Sequence, residues 1–116
     1  MAAFTVLNQN KDFRTLYYRG KSQVHPFLVT YVRKNRLGVN RVGITTGKKI
    51  GKAVQRNRCR RVIRESYRLT MPFLEKGYDI VFVARTKTAL VKETALRPVM
   101  QSHLRELGLL KTEERT

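Results

Sequence analysis

The sequence predicts an α+β fold, a small mixed sheet with helices packed mainly against one of its faces. Three observations carry this. Tyr78 to Arg85 is a continuous apolar run rich in β-branched and aromatic residues, the pattern of a buried central strand. Read at helical spacing, Lys52 to Leu69 places Cys59, Val62, Ile63, Ser66 and Leu69 on one side. Phe27 to Arg33 alternates, so that Phe27, Val29 and Tyr31 point one way and Leu28, Thr30 and Val32 the other.

The remaining elements follow in chain order. The chain reads as a single domain over 1–116, with 1–7 and 112–116 expected to be flexible. Asn8 or Asn10 supplies the cap of a first helix, Lys11 to Arg19, which Gly20 ends. Phe13, Leu16 and Tyr17 share one face of it, and so short a helix must dock to persist. Pro26 opens the strand Phe27 to Arg33. Lys34 to Asn40 forms a hairpin-like loop, and Arg41 to Thr46 is a further strand. Gly51 lies where the chain turns into the long helix, and Pro72 and Gly77 frame the connector that follows. Leu90 to Leu110 is rich in helix formers, but Pro98 is costly in a helix interior. The spacing therefore predicts a main helix from Arg97 to Leu107, with Pro98 in its first turn and Gly108 past its end.

The charge pattern points to the partner. Lys and Arg number 25 against 8 Asp and Glu, a formal charge of +17 in 116 residues. At 41% hydrophobic the chain is too apolar for a disordered basic tail. A pI near 11.0 makes nucleic acid the first candidate partner and an anionic membrane surface the second. Nine of the basic residues crowd into Lys48 to Arg68, where Glu65 is the only acid. On the helix, Arg56, Asn57, Arg60, Arg61, Arg64 and Arg68 fall opposite the apolar side. Ordinary solvated helices interleave both signs; here only Glu65 can pair, with Arg61 or Arg68. Arginine's planar fork suits bidentate contact with phosphate and stacking on bases, so the face is built for a phosphate backbone with exposed base edges.

Other chemistry is scarce. The eight acids show no two-metal carboxylate spacing. His25 and His103 are isolated, and Cys59, the single cysteine, lies on the apolar helix side as a small core residue. One cysteine allows no intrachain disulfide, which suits the cytoplasm. The first residues lack the pattern of a signal peptide, and no apolar stretch approaches the roughly 20 residues of a membrane span. Gly43 to Lys49 fails as a phosphate loop, because its glycines are one residue too close and Lys48 is not followed by Ser or Thr.

Several segments together resemble the bacterial ribonuclease P protein component. They are Asn10-Lys11-Asp12-Phe13 with Tyr17 and Gly20, Arg41-Val42-Gly43-Ile44, Lys48 through Glu65 with its central Arg56-Asn57-Arg58, and Asp79 through Arg85. The resemblance spans nearly the whole domain. It implies the order α-β-β-β-α-β-α and a role as the RNA-binding protein subunit of a ribonucleoprotein endonuclease. That enzyme removes the 5′ leader from precursor tRNA. The catalytic groups and the bound Mg²⁺ are then expected on the RNA subunit, with no catalytic residue, metal or cofactor on the protein and no protein partner required. The resemblance puts the catalytic RNA against Arg56, Asn57, Arg58, Arg60, Arg61 and Arg64, with Lys49 and Lys52 nearby, and the charged helix side adds Arg68 to this RNA-binding set. It puts the single-stranded leader in a cleft formed by Phe13, Tyr17, Val29, Tyr31 and Thr45. Aromatics beside basic groups suit single strands, since every base has a π-face. Gly47 stands where the family often has Ser, and Cys59 where a larger aliphatic residue is common. The alternative from the same electrostatics is a structural RNA binder of ribosomal type with no processing role.

Overall fold

The computed structural model describes residues 5–111. The elements run β1 (Thr5–Val6), α1 (Asn10–Arg19), β2 (Lys21–His25), β3 (Leu28–Lys34), β4 (Arg41–Thr45), α2 (Ala53–Thr70), β5 (Tyr78–Ala84) and α3 (Glu93–Glu106). Short 3-10 turns at Lys48–Ile50, Met71–Phe73 and Thr86–Leu90 make the connections. One five-stranded sheet has the order β1-β4-β5-β3-β2. β4 is parallel to both β1 and β5, whereas β5–β3 and β3–β2 are antiparallel. Parallel neighbours need a crossover connection, and α2 supplies the one between β4 and β5.

The alternation of β3 decides where the core sits. Leu28 and Val32 join Val42, Ile80 and Phe82 from the neighbouring strands. Against them α2 presses Cys59, Val62, Ile63 and Tyr67, and α3 presses Leu96, Met100 and Leu104. The opposite sheet face carries a smaller cluster, Leu7, Leu16 and Val81, with Phe13, Tyr31 and Val83 at its margin. Two of the three helices therefore share one face, and α1 alone lies on the other.

Several boundaries differ from the sequence expectation. β2 is an added strand that residue patterning did not find. Its residues are polar except for Val24, which is 65% exposed, because it is an edge strand with little to bury. Residues 5–7 are tied down rather than loose: Thr5 and Val6 pair with β4, and Leu7 is buried. Asn10 is the first residue of α1 and not its cap; Gln9 holds that position without a side-chain hydrogen bond. α3 begins at Glu93, four residues before the expected start, and Pro98 lies inside it. Burial of Leu96 and the Glu93–Arg97 ion pair at 3.6 Å stabilise the added turn and offset the missing N–H. The segments 1–4 and 112–116 lie outside the described residues.

Candidate nucleic-acid interface

The first surface is the outer side of α2. Gly51, at φ 136°, makes the turn that launches the helix, a backbone conformation that suits glycine. Lys49, Lys52, Asn57, Arg61, Arg64 and Arg68 are exposed, while Arg56, Arg58 and Arg60 are half-buried. The arginines are not equivalent. Arg61 and Arg64, with Lys49 and Lys52, have no partner among the described residues. Arg56 donates to the Gly51 carbonyl at 2.8 Å, which steadies the helix entry. Arg60 donates to Asn57 Oδ1 at 3.2 Å. Arg68 forms a bidentate pair with Glu65, at 2.9 and 2.7 Å, which holds the Glu65 carboxyl below its ordinary pKa. Arg58 turns inward and donates to the carbonyls of Ala89 (2.9 Å) and Val91 (3.3 Å), tying α2 to the connector before α3. That connector lies against the Lys48–Ile50 turn, so exposed Lys87 and Lys92 extend the positive surface. Sequence patterning missed both lysines, because nothing local links them to a helix some 30 residues earlier. Beneath the face, burial raises the Cys59 thiol pKa despite the adjacent Arg58 and Arg60, so it packs as a neutral group.

The second surface lies on the other side of the sheet, beside α1. Strand register sets two side-chain rows there. One runs Gly43, Val81, Tyr31, Ser22, and the next Thr45, Val83, Val29, Val24, from β4 across to β2. α1 covers the first row. A Cβ at Gly43 would meet the Phe13 ring at 2.6 Å, so the missing side chain is what lets that ring lie on the sheet. Tyr17 packs edge-on against Tyr31, with centroids 4.9 Å apart. The second row is left open. Phe13, Tyr17, Val29, Tyr31 and Thr45 are thus brought together, with Val24 and Val83 completing an apolar strip. Neither of those two was named from the sequence, although period-2 alternation places both on this side. Phe13, Val29 and Tyr31 are half-buried and Tyr17 is 43% exposed, so the rings bridge core and solvent.

The flank of α1 away from the strip is charged. A cavity of about 690 Å³ there is lined by residues that include Asp12, Arg33, Lys34, Arg36 and Arg41. On its floor Arg41 grips Asp79 in a fork, at 2.8 and 2.7 Å, with Asp12 at 4.0 Å. The hydrogen bonds to Asp79 hold the Arg41 pKa above its ordinary value against the opposing cost of burial. Acids elsewhere are similarly engaged, Glu65 by Arg68 and Glu93 by Arg97. Among the described residues no three His, Cys, Asp or Glu side chains gather as a metal site, and no helix is long and apolar enough to cross a membrane.

The two surfaces lie on opposite faces of one sheet and meet at the corner where β4 leads into α2: Thr45 ends the strip three residues before Lys48. Comparison with known proteins agrees with this architecture. A family model described as Ribonuclease P matches residues 1–108. A ribonuclease P protein component of Clostridium botulinum (strain Langeland) is 49% identical over 83 residues, covering 71% of this chain and 75% of the relative. That of Clostridium kluyveri is 40% identical over 107 residues, covering 90% and 96%. Among solved structures, the Staphylococcus aureus RNase P protein superposes with a TM-score of 0.81 at 26% identity, over 95% of this chain and 100% of that one. The Thermotoga maritima protein gives 0.74 at 32% identity, over 88% and 94%.

Proposed function

The chain belongs to the ribonuclease P protein family, and from that premise we propose that it is the RNA-binding subunit of an endonuclease that removes the 5′ leader from precursor tRNA. The observation that carries this is the pair of surfaces joined at the β4–α2 corner. An arginine face with unpaired guanidinium groups suits a folded RNA's phosphates, and an open aromatic strip suits a single strand. We assign the catalytic RNA to Lys49, Lys52, Arg56, Asn57, Arg60, Arg61, Arg64 and Arg68. Arg58 contributes there chiefly by fixing the helix. We assign the leader to Phe13, Tyr17, Val29, Tyr31 and Thr45. One bound RNA is then held on each side of the corner, and the protein acts by positioning them together.

The chemistry is assigned to the RNA subunit, together with the Mg²⁺ that a ribozyme-type phosphodiester hydrolysis requires. On the protein, Asp12, Asp79, Glu65 and Glu93 all face arginines, which leaves them poorly disposed as general bases or metal ligands. The complex is placed in the cytoplasm and needs no further protein. The test is an omission experiment: protein, ribonuclease P RNA and precursor tRNA at low Mg²⁺, with each component left out in turn. Cleavage at the mature 5′ end is expected only when the RNA subunit is present, and it is expected to be stronger with the protein. Site-specific cleavage by protein freed of RNA would overturn the assignment. Binding to the RNA with no effect on processing would favour the purely structural role.

A further inference from the structure

The outward side of α1 takes no part in either surface described above. At 100° per residue, Arg14 lies about 60° around the helix from Tyr17, Tyr18 about 100° around, and Lys11 just beyond. Tyr18 is 90% exposed, the most exposed large apolar side chain among the described residues. Lys11, Arg14 and Arg19 are exposed as well. No described residue bonds or pairs with the side chains of these four. The one acid on the helix, Asp12, is turned the other way toward Arg41. A tyrosine so bare gains nothing for the fold. With three unpaired cations around it and no acid, its surroundings are complementary to a polyanion with faces that stack.

The placement of this patch relative to the strip gives it a role. The strip runs from Thr45 on β4, beside the Lys48–Lys49 approach to α2, to Val24 on the β2 edge. Four strands at about 4.8 Å spacing make it roughly 14 Å long, so it holds only a short piece of a leader. The cleavage-proximal end must lie where the catalytic RNA docks, at the α2 corner. The upstream end therefore leaves at the far side, past Tyr17. Beyond Tyr17 the outward side of α1 offers Tyr18 first, with Arg14 about one turn and Lys11 about two turns back along the helix.

We propose that the outward side of α1 is a second single-strand contact, in which Tyr18 stacks a base of the upstream leader and Arg14 and Lys11 hold its phosphates. This rests on the assignment of the leader to the strip. Only long leaders reach the patch, so it makes the enzyme sensitive to leader length.

The test measures binding of the holoenzyme, protein reconstituted with ribonuclease P RNA, to mature tRNA and to precursors with leaders of graded length. The variants are Tyr18→Ser with Arg14→Ala, and separately Tyr18→Phe. Wild type is expected to gain affinity as the leader lengthens. The double variant should bind mature tRNA and the shortest precursors normally and lose at least about fivefold on the longest, the lower end for one stacked base. Tyr18→Phe should retain the gain, because the ring is what stacks. Both positions are exposed, and unchanged melting temperatures confirm that the fold is intact. A length profile identical to wild type would overturn the proposal. So would an equal loss on mature tRNA, which would give the patch to the tRNA body or the catalytic RNA. A wild-type enzyme that binds precursor and mature tRNA alike would instead remove the strip assignment, and this inference with it.

Discussion

The rings beside α1 show how single residues serve both packing and recognition. Tyr31 contacts Tyr17 on one side and borders the Leu16–Val81 cluster on the other. Tyr31→Ala is expected to weaken binding of precursor tRNA by about 1–3 kcal/mol, with mature tRNA unaffected. Circular dichroism separates this from unfolding, and equal losses on both RNAs would count against the strip. His103 is a different case, a buried titratable group serving the core. Its Nδ1 lies 2.8 Å from the Thr30 hydroxyl, and the His25 ring stands 6.4 Å away. Burial first, and the neighbouring His25 second, lower its pKa. Since the folded protein binds this proton less readily than the unfolded chain, its contribution is fully present above about pH 6.5 and is lost as pH falls from there through the lowered value. Melting temperature should therefore drop on acidification below pH 6.5. His103→Gln, which keeps a polar partner for Thr30, should flatten that part of the curve.

At the scale of the element, α2 is a docking surface whose arginines divide by their existing bonds. Arg61→Ala with Arg64→Ala should cost no stability, since neither side chain has a partner to lose, and should weaken binding to ribonuclease P RNA, lowering the log–log salt slope by roughly 0.7–0.9 per lost phosphate contact. Arg58→Ala should instead lower the melting temperature, because it strands two carbonyls of the α3 connector. A slope unmoved by the double variant would take the docking surface away from α2. The sequence made the helix and its charged side legible because amphipathic period and single-sign charge are local signals. The same period leaves Arg58 off the charged side, but its bonds to a connector 30 residues away are not a local signal, and family likeness grouped it with Arg61. For the same reason β5 and β3 were readable from their apolar content, and β2 was not, since an edge strand held by backbone pairing needs few apolar side chains. Pro98 misled because tertiary burial of Leu96 outweighs a local preference. Thr45, Val29 and Tyr31 were named together through family likeness; what aligns them is strand register, which no single segment encodes.

For the whole molecule, the dominant fact is +17 on one small domain. Folding draws Arg61, Arg64 and Arg68 onto one side of a helix, closer than in an extended chain, and the repulsion subtracts from a margin of only about 5–15 kcal/mol. Pyrophosphate at low millimolar concentration should raise the melting temperature, since an anion that binds only the folded face stabilises by mass action, about 2.7 kcal/mol at 100 times its dissociation constant. A melting temperature that ignores pyrophosphate in low salt would show that repulsion is not limiting.

The crossover through α2 also bears on the order in which the molecule is assembled. Arg41 and Asp79 are register partners and ion-pair partners across a separation of 38 residues. β4 can therefore acquire its central neighbour only after the whole of α2 has been made and laid down. A nascent chain that ends before Tyr78 holds the β2–β3 hairpin and the basic helix but lacks the strand that unites them. Closing that long loop carries an entropic cost, and the native topology can be completed only once Tyr78 to Ala84 is free to pair. Until then the arginine helix is exposed to the cell's polyanions before the sheet that orients it exists.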